Sequence, residues 1–111
     1  MEISREDRDG VRIFAPAGRV DSNTSRELET ALLPTFEEGG KVVIDLSHVT
    51  YISSAGLRVL LMAAKQSKAT GTPLALAGMT PPIHEVFAIS GFAKLFNITP
   101  DTQAAIAALG A

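Results

Sequence analysis

Residues 41 to 68, KVVIDLSHVTYISSAGLRVLLMAAKQSK, constrain this chain more than any other stretch. KVVIDL is a near-continuous apolar run rich in β-branched residues, which suits a central strand covered on at least one face. Glu37-Glu38-Gly39-Gly40 before it reads as a turn. After a short crossing segment, Ser47 to Thr50, Tyr51 and Ile52 are expected to tuck inward. A helix then begins at about Ser53 or Ser54 and runs to about Ser67. Leu57, Leu60, Leu61, Ala64 and Lys68 fall on one of its faces, and Val59, Met62 and Ala63 widen that face. So broad a stripe exceeds what an ordinary surface helix needs, so the helix is either deeply buried or partly reserved for a partner.

The rest of the chain supplies layers for this unit. Residues 2 to 8 form a polar edge strand, and Asp9-Gly10 turns it into VRIFAPA, 11 to 17, as a hairpin. Val11, Ile13 and Ala15 alternate against Arg12 and Phe14, and Pro16 marks the expected end of that strand. Asp21, Ser22 and Thr24 are all suitable helix N-caps, and Thr24 with Glu27 makes a capping-box pattern. The helix that follows is expected to bury Leu28, Ala31, Leu32 and Phe36, with a kink or early end at Pro34. Leu74 to Ala77 reads as a short buried strand. Residues 80 to 90 read as a helix burying Ile83, Val86, Phe87 and Ile89 or Ser90, ended by Gly91. Residues 95 to 98 read as a last extended segment, and 101 to 109 as an Ala-rich final helix capped by Thr99 or Asp101. The predicted order is β-β-α-β-α-β-α-β-α, one mixed α/β sheet with helices packed against it.

Length and charge narrow the function. The 111 residues fit one domain, 1–111, and 46% hydrophobic content is enough for a core. There is no cysteine, which excludes disulfides, Cys-ligated metals and Cys nucleophiles. The formal charge is −2 and no basic block points to nucleic acid. No apolar run reaches the roughly 18 residues of a membrane span, and MEISREDRDG lacks the apolar stretch of a signal peptide. The expectation is a soluble cytoplasmic domain.

Ser54 is the main candidate for chemistry. A hydroxyl in the first turn of a helix can accept a phosphate, which would sit over free N–H groups at the positive end of the helix dipole. The bland alternative is that Ser53 or Ser54 is only an N-cap, contributing about 1 kcal/mol. By local pattern alone the bland reading leads. A catalytic serine is a poor third reading, because I-S-S-A-G is not G-x-S-x-G and His48 and His84 stand singly. His48 with Asp45 and His84 with Glu85 make no metal-ligand spacing. Asp21 is either a cap or an acidic group near Ser54, if their two loops meet on one edge. Arg58 is either solvated or a contact for a partner or phosphate.

The segment DLSHVTYISSAGLRVLL, 45 to 61, resembles the signature of bacterial anti-sigma factor antagonists, the STAS-domain family. GRVDSNTSREL, 18 to 28, resembles the lead into that family's first helix. FAISGFAKLFNI, 87 to 98, resembles the segment before its last helix. The resemblance implies the STAS fold, a mixed β-sheet with four helices packed against it, and a partner-switching regulator rather than an enzyme. In that role the unphosphorylated antagonist binds an anti-sigma factor that is itself an ATP-dependent serine kinase. Phosphorylation at the start of the second helix releases it, and a metal-dependent serine phosphatase resets it. Aligned on Gly56, the acceptor falls on Ser54. Ser53 stands where the family often has Asp, and is the second candidate acceptor. The implied partner-binding surface is Asp21, Ser22, Asn23 and Thr24 with Ser53, Ser54, Ala55, Gly56, Leu57 and Arg58. No cofactor, metal or nucleic acid is expected, and the chain is expected to be a monomer or weak dimer. The alternative within the family is a structural STAS subunit of a signalling or lipid-transport assembly, never phosphorylated.

Overall fold

The computed structural model describes residues 1–110. The strand Val11–Val20 (β2) is the axis of the sheet. Residues 11–17 of this strand pair antiparallel with Glu2–Arg8 (β1) on one side, and residues 11–14 pair parallel with Lys41–Asp45 (β3) on the other. Its end, Gly18–Val20, pairs parallel with Val49–Ile52 (β4), across a register shift between Gly18 and Arg19. The sheet continues from β3 through Leu74–Ala77 (β5) to Ile98–Thr99 (β6), all parallel.

Three expectations change here. The strand does not end at Pro16 but runs on to Val20. Pro16 stands opposite Ile3 in the antiparallel ladder with β1 but lies between the two parallel pairings, which involve residues 11–14 and 18–20, so its missing N–H leaves no gap in either parallel ladder. The crossing segment before the second helix is itself a strand, β4, absent from the predicted order. Within it Ile52 is buried as expected but Tyr51 is exposed, because the two neighbours point to opposite faces. The Arg19 guanidinium lies over the Tyr51 ring, 4.2 Å from its centroid.

Four helices cover the sheet: Ser25–Leu32 (α1), Ser54–Thr70 (α2), Pro81–Ser90 (α3) and Thr102–Ala108 (α4). The first three share one face, where Leu28, Leu60 and Phe87 belong to one apolar cluster with Phe14, Ile44 and Leu76. On the other face Ala105 and Ile106 of α4 pack with Val11, Ile13, Val43 and Ala75. Alternate residues of β3 therefore enter two different cores. That explains why its sequence is an unbroken apolar run.

Pro34 does end α1, and the chain tightens into a 3-10 turn, Leu33–Glu37, that brings Phe36 inward. Ala31 is exposed rather than buried, because the inward stripe is set by Leu28 and Leu32 and lies about 80° from Ala31 on the helix. On α3 the inward pair is Ile83 and Phe87. Ser90 is exposed and Ile89 is 79% exposed, not packed inward. Gly91, in the left-handed region at φ 78°, ends α3 as expected. Residues 92–95 form a second 3-10 turn rather than leading directly into a strand, and β6 begins only at Ile98. Phe96 meets Phe87 edge to face at 5.5 Å. Asp101 caps α4 by accepting from the Ala104 N–H at 2.7 Å.

At Gly56 the helix α2 lies tight against the sheet. A Cβ there would lie 2.7 Å from Val20 Cγ1 and 2.9 Å from both Ile52 Cγ1 and the Val20 carbonyl oxygen. Gly56→Ala is therefore expected to destabilise the fold by about 1–3 kcal/mol, as overpacking against backbone that cannot yield. Urea unfolding measures this, and an unchanged midpoint would contradict the close approach.

Candidate functional site

Pairing of β2 with β4 brings two loops to one edge of the sheet. Val20 lies beside Ile52 in the ladder, and the Ser53 N–H donates to the Val20 carbonyl at 2.8 Å. The Asp21–Thr24 loop and the first turn of α2 are thus neighbours, as the acidic-group reading of Asp21 required.

The two serines are physically distinct. Ser53 is the N-cap of α2. Its backbone is extended, its Oγ accepts from the Gly56 N–H at 3.3 Å, and its carbonyl accepts from Leu57 N–H. Ser54 is the first helical residue. It is exposed, and among the described residues its hydroxyl has no hydrogen-bond partner. The capping explanation is therefore satisfied by Ser53 and leaves Ser54 without a structural duty.

The neighbouring loop is tightly wound. Asp21 Oδ1 accepts from the Asn23 and Thr24 N–H groups at 2.9 and 3.2 Å, and the Thr24 hydroxyl donates to the Arg19 carbonyl at 2.7 Å. The capping box expected from Thr24 and Glu27 does not form, because the Thr24 hydroxyl is turned back to Arg19 and to the Asp21 N–H. The Asn23 N–H is the main cause that holds the Asp21 carboxyl below its ordinary pKa, with Thr24 and Arg19 acting in the same direction. Ser22 and Asn23 are exposed at the loop's tip.

On α2, Ala55 is half-buried and Gly56 is buried against Val20 and Ile52. Leu57 is 7% exposed, and its edge lines a shallow cavity of about 240 Å³ with Ser54, Arg58, Leu61 and Phe92. Arg58 is exposed and has no carboxylate partner among the described residues. Phe92 and Leu61 were not singled out from sequence as part of this surface. Phe92 arrives from a 3-10 turn distant in the chain, and no local pattern announces that placement.

His48 is exposed, and its Nδ1 lies 3.1 Å from Ser47 Oγ. Asp45 is turned to the Ser47 N–H at 3.0 Å, so these residues form no relay toward Ser54. Among the described residues, no group of three or more His, Asp or Glu side chains is placed to hold a metal ion. No helix there is long and apolar enough to cross a membrane.

Known proteins agree with this architecture. The STAS domain family matches residues 2–105, and the chain belongs to that family. BtrV of Bordetella bronchiseptica, provisionally named an anti-sigma factor antagonist, is 39% identical over 97% of this chain and 94% of its own length. The anti-sigma-B factor antagonist of Listeria monocytogenes is 32% identical over 88% of this chain and 86% of its own. A solved anti-sigma factor antagonist from Mycobacterium paratuberculosis is 26% identical, covering 99% of this chain and 94% of its own, at TM-score 0.90. The fold is also that of the antagonist SpoIIAA in its unphosphorylated form, at TM-score 0.78, 14% identity and coverage of 99% and 98%. SpoIIAA has been solved phosphorylated as well, at TM-score 0.72 and 14% identity, covering 96% of this chain and 99% of its own.

Two outcomes follow from the division of labour between the serines. Ser53→Ala removes the cap and is expected to cost about 1 kcal/mol, while Ser54→Ala stays within about 0.5 kcal/mol of wild type. Thermal or urea unfolding of the two variants measures both, and a larger loss from Ser54→Ala would contradict the assignment.

For Asp21 the lowered carboxyl pKa makes the unfolded chain bind more protons than the folded one at acid pH. Its stabilising contribution is complete above about pH 4, the ordinary aspartate value, and is lost as pH falls through the lowered value of the folded chain. The stability gap between wild type and Asp21→Ala is therefore expected to narrow in acid, measured by urea unfolding at a series of pH values.

Proposed function

We propose that this chain is an anti-sigma factor antagonist switched by phosphorylation of Ser54. The observation that carries the reading is the contrast at the head of α2. Ser53 is engaged in the cap, and Ser54 beside it is exposed and has no hydrogen-bond partner among the described residues. The curated relatives' names as anti-sigma factor antagonists support the same reading.

In the unphosphorylated state the surface from Asp21 to Thr24 and from Ser53 to Arg58 docks on an anti-sigma factor that is an ATP-dependent serine kinase. The Ser54 oxygen attacks the γ-phosphorus of ATP, the β–γ bridging bond breaks and ADP leaves. The hydroxyl proton passes to a base on the kinase, because no base among the described residues is bonded to Ser54. A metal-dependent serine phosphatase restores the free serine by hydrolysis.

Release follows from electrostatics rather than unfolding. The phosphate adds about −1.5 to −2 charge at a helix N-terminus, where the dipole favours an anion by about 0.3–1 kcal/mol. The antagonist therefore tolerates the group, but a partner packed against a neutral hydroxyl does not. Asp21, ionised and anchored by its own loop, adds to the negative charge on that side.

The test is intact-mass and peptide mapping after incubation with ATP and lysate of the source organism. One phosphate is expected, on Ser54, retained in Ser53→Ala and lost in Ser54→Ala. Ser54→Glu is expected to weaken binding to the kinase at least about tenfold. Phosphate on Ser53, or on neither serine while a control substrate is modified, contradicts the switch and favours a structural STAS subunit instead.

A further inference from the structure

The helix α2 carries more apolar surface than the sheet covers. Leu57, Val59, Leu60 and Ala63 are buried, but Leu61 and Ala64 are only half-buried. Two cavities, of about 240 and 190 Å³, share Leu61 as a common wall. The upper one begins at Ser54 and is closed by Phe92. The lower one is lined by Ala64, Lys65, Lys68 and Leu95. Together they make one groove between α2 and the 92–95 turn. From Ser54 to Lys68 it is about 21 Å long at 1.5 Å per residue, four helical turns. Its α2 wall follows the 3- and 4-residue spacing of a single helix face.

Charge says what fits this groove. Between Asp45 and Asp101 the sequence holds one carboxylate, Glu85, against four cations, Arg58, Lys65, Lys68 and Lys94. The whole chain is nevertheless acidic at −2, and Arg58, Lys65 and Lys68 line the two cavities with no carboxylate among the lining residues. None of the four cations is ion-paired among the described residues. Arg58, Lys65 and Lys68 line the apolar floor, and Leu95 is 51% exposed beside it.

We propose that this groove receives an amphipathic helix of the partner protein, apolar toward Leu61, Ala64 and Leu95 and acidic toward Arg58, Lys65 and Lys68. Helix-in-groove docking uses anchors at this spacing, and rim charges select the partner. The inference rests on the antagonist reading above and extends its docking surface down the whole of α2. It also gives the phosphate a second target. Ser54 lies at the upper end of the groove, so phosphorylation places negative charge against the acidic flank of the docked helix.

The test uses the full chain in cells of the source organism, with the photo-cross-linking residue benzoylphenylalanine replacing Lys65 in one version and Ser22 in another. Both are expected to join to the same protein. Position 65 is expected to join to a segment with apolar residues at helical spacing and Asp or Glu on one flank. That segment, made as a peptide, is expected to bind wild type and to lose about tenfold in affinity for Lys65→Glu/Lys68→Glu, two rim pairs at the upper end of exposed-pair energies. Both substitutions lie on an exposed helix face, and an unchanged melting curve shows that the double variant is folded. Cross-linking from position 22 alone overturns the groove and leaves the Ser54 surface standing. Cross-linking from neither position overturns both. Cross-links from position 65 to lipid, to a second copy of this chain, or to a segment without acidic residues also overturn the proposal.

Discussion

The contact on which the rest depends is the seating of the first turn of α2 against the end of β2. Gly56 has no side chain, and its neighbours occupy the place where one would sit, with the Val20 side chain and carbonyl both within 3 Å of that position. The Ser53 N–H closes the same corner on Val20. A helix held this tightly cannot rotate or slide without breaking a backbone hydrogen bond or forcing a clash. The orientation of its N-terminus is therefore fixed by the sheet. Everything about the site follows from that. Ser53 is held where its oxygen reaches the Gly56 N–H, and Ser54, one residue on, is turned to solvent.

The second loop is fixed by a different device. Asp21 folds its carboxylate onto its own backbone, and Thr24 ties back to Arg19. The loop therefore needs no contact with α2 to hold its shape, and the β2–β4 pairing sets the two side by side. Loops held over a rigid sheet are where binding residues concentrate. A surface assembled this way is preorganised, so a partner meets it without a large ordering cost. Under the proposed switch, a single added charge at Ser54 would act on docking, because there is little local structure for it to rearrange.

Most of this was legible before the structure, for identifiable reasons. The β-branched run at 41–46 and the long apolar stripe from Leu57 announced the central strand and α2, while the I-S-S-A-G junction by itself read first as a helix cap, and only the family resemblance pointed to Ser54 as the proposed acceptor. What was not legible depended on distant partners. β4 is four residues long with a polar middle, and it reads as a strand only because β2 continues past Pro16 to pair with it. Tyr51 looked like a core residue until Arg19 gave its ring a place at the surface. The Thr24–Glu27 pattern matched a capping box, but the neighbouring Arg19 carbonyl competed successfully for the threonine hydroxyl. Phe92 and Leu95 gained meaning only when a 3-10 turn carried them to α2. Local propensity identified the elements, and tertiary competition decided how their polar groups and edges were used.

The central claim is that the fold is a rigid mount and that Ser54 changes its surface without changing its shape. The most direct measurement is a backbone amide NMR comparison of the same chain with and without phosphate on Ser54. The account predicts shifts confined to residues near 20–25 and 53–58, with the core amides of β3 and β5 unmoved. Shifts that spread through β3, β5 and α4 would mean that phosphorylation repacks the domain, and would contradict it.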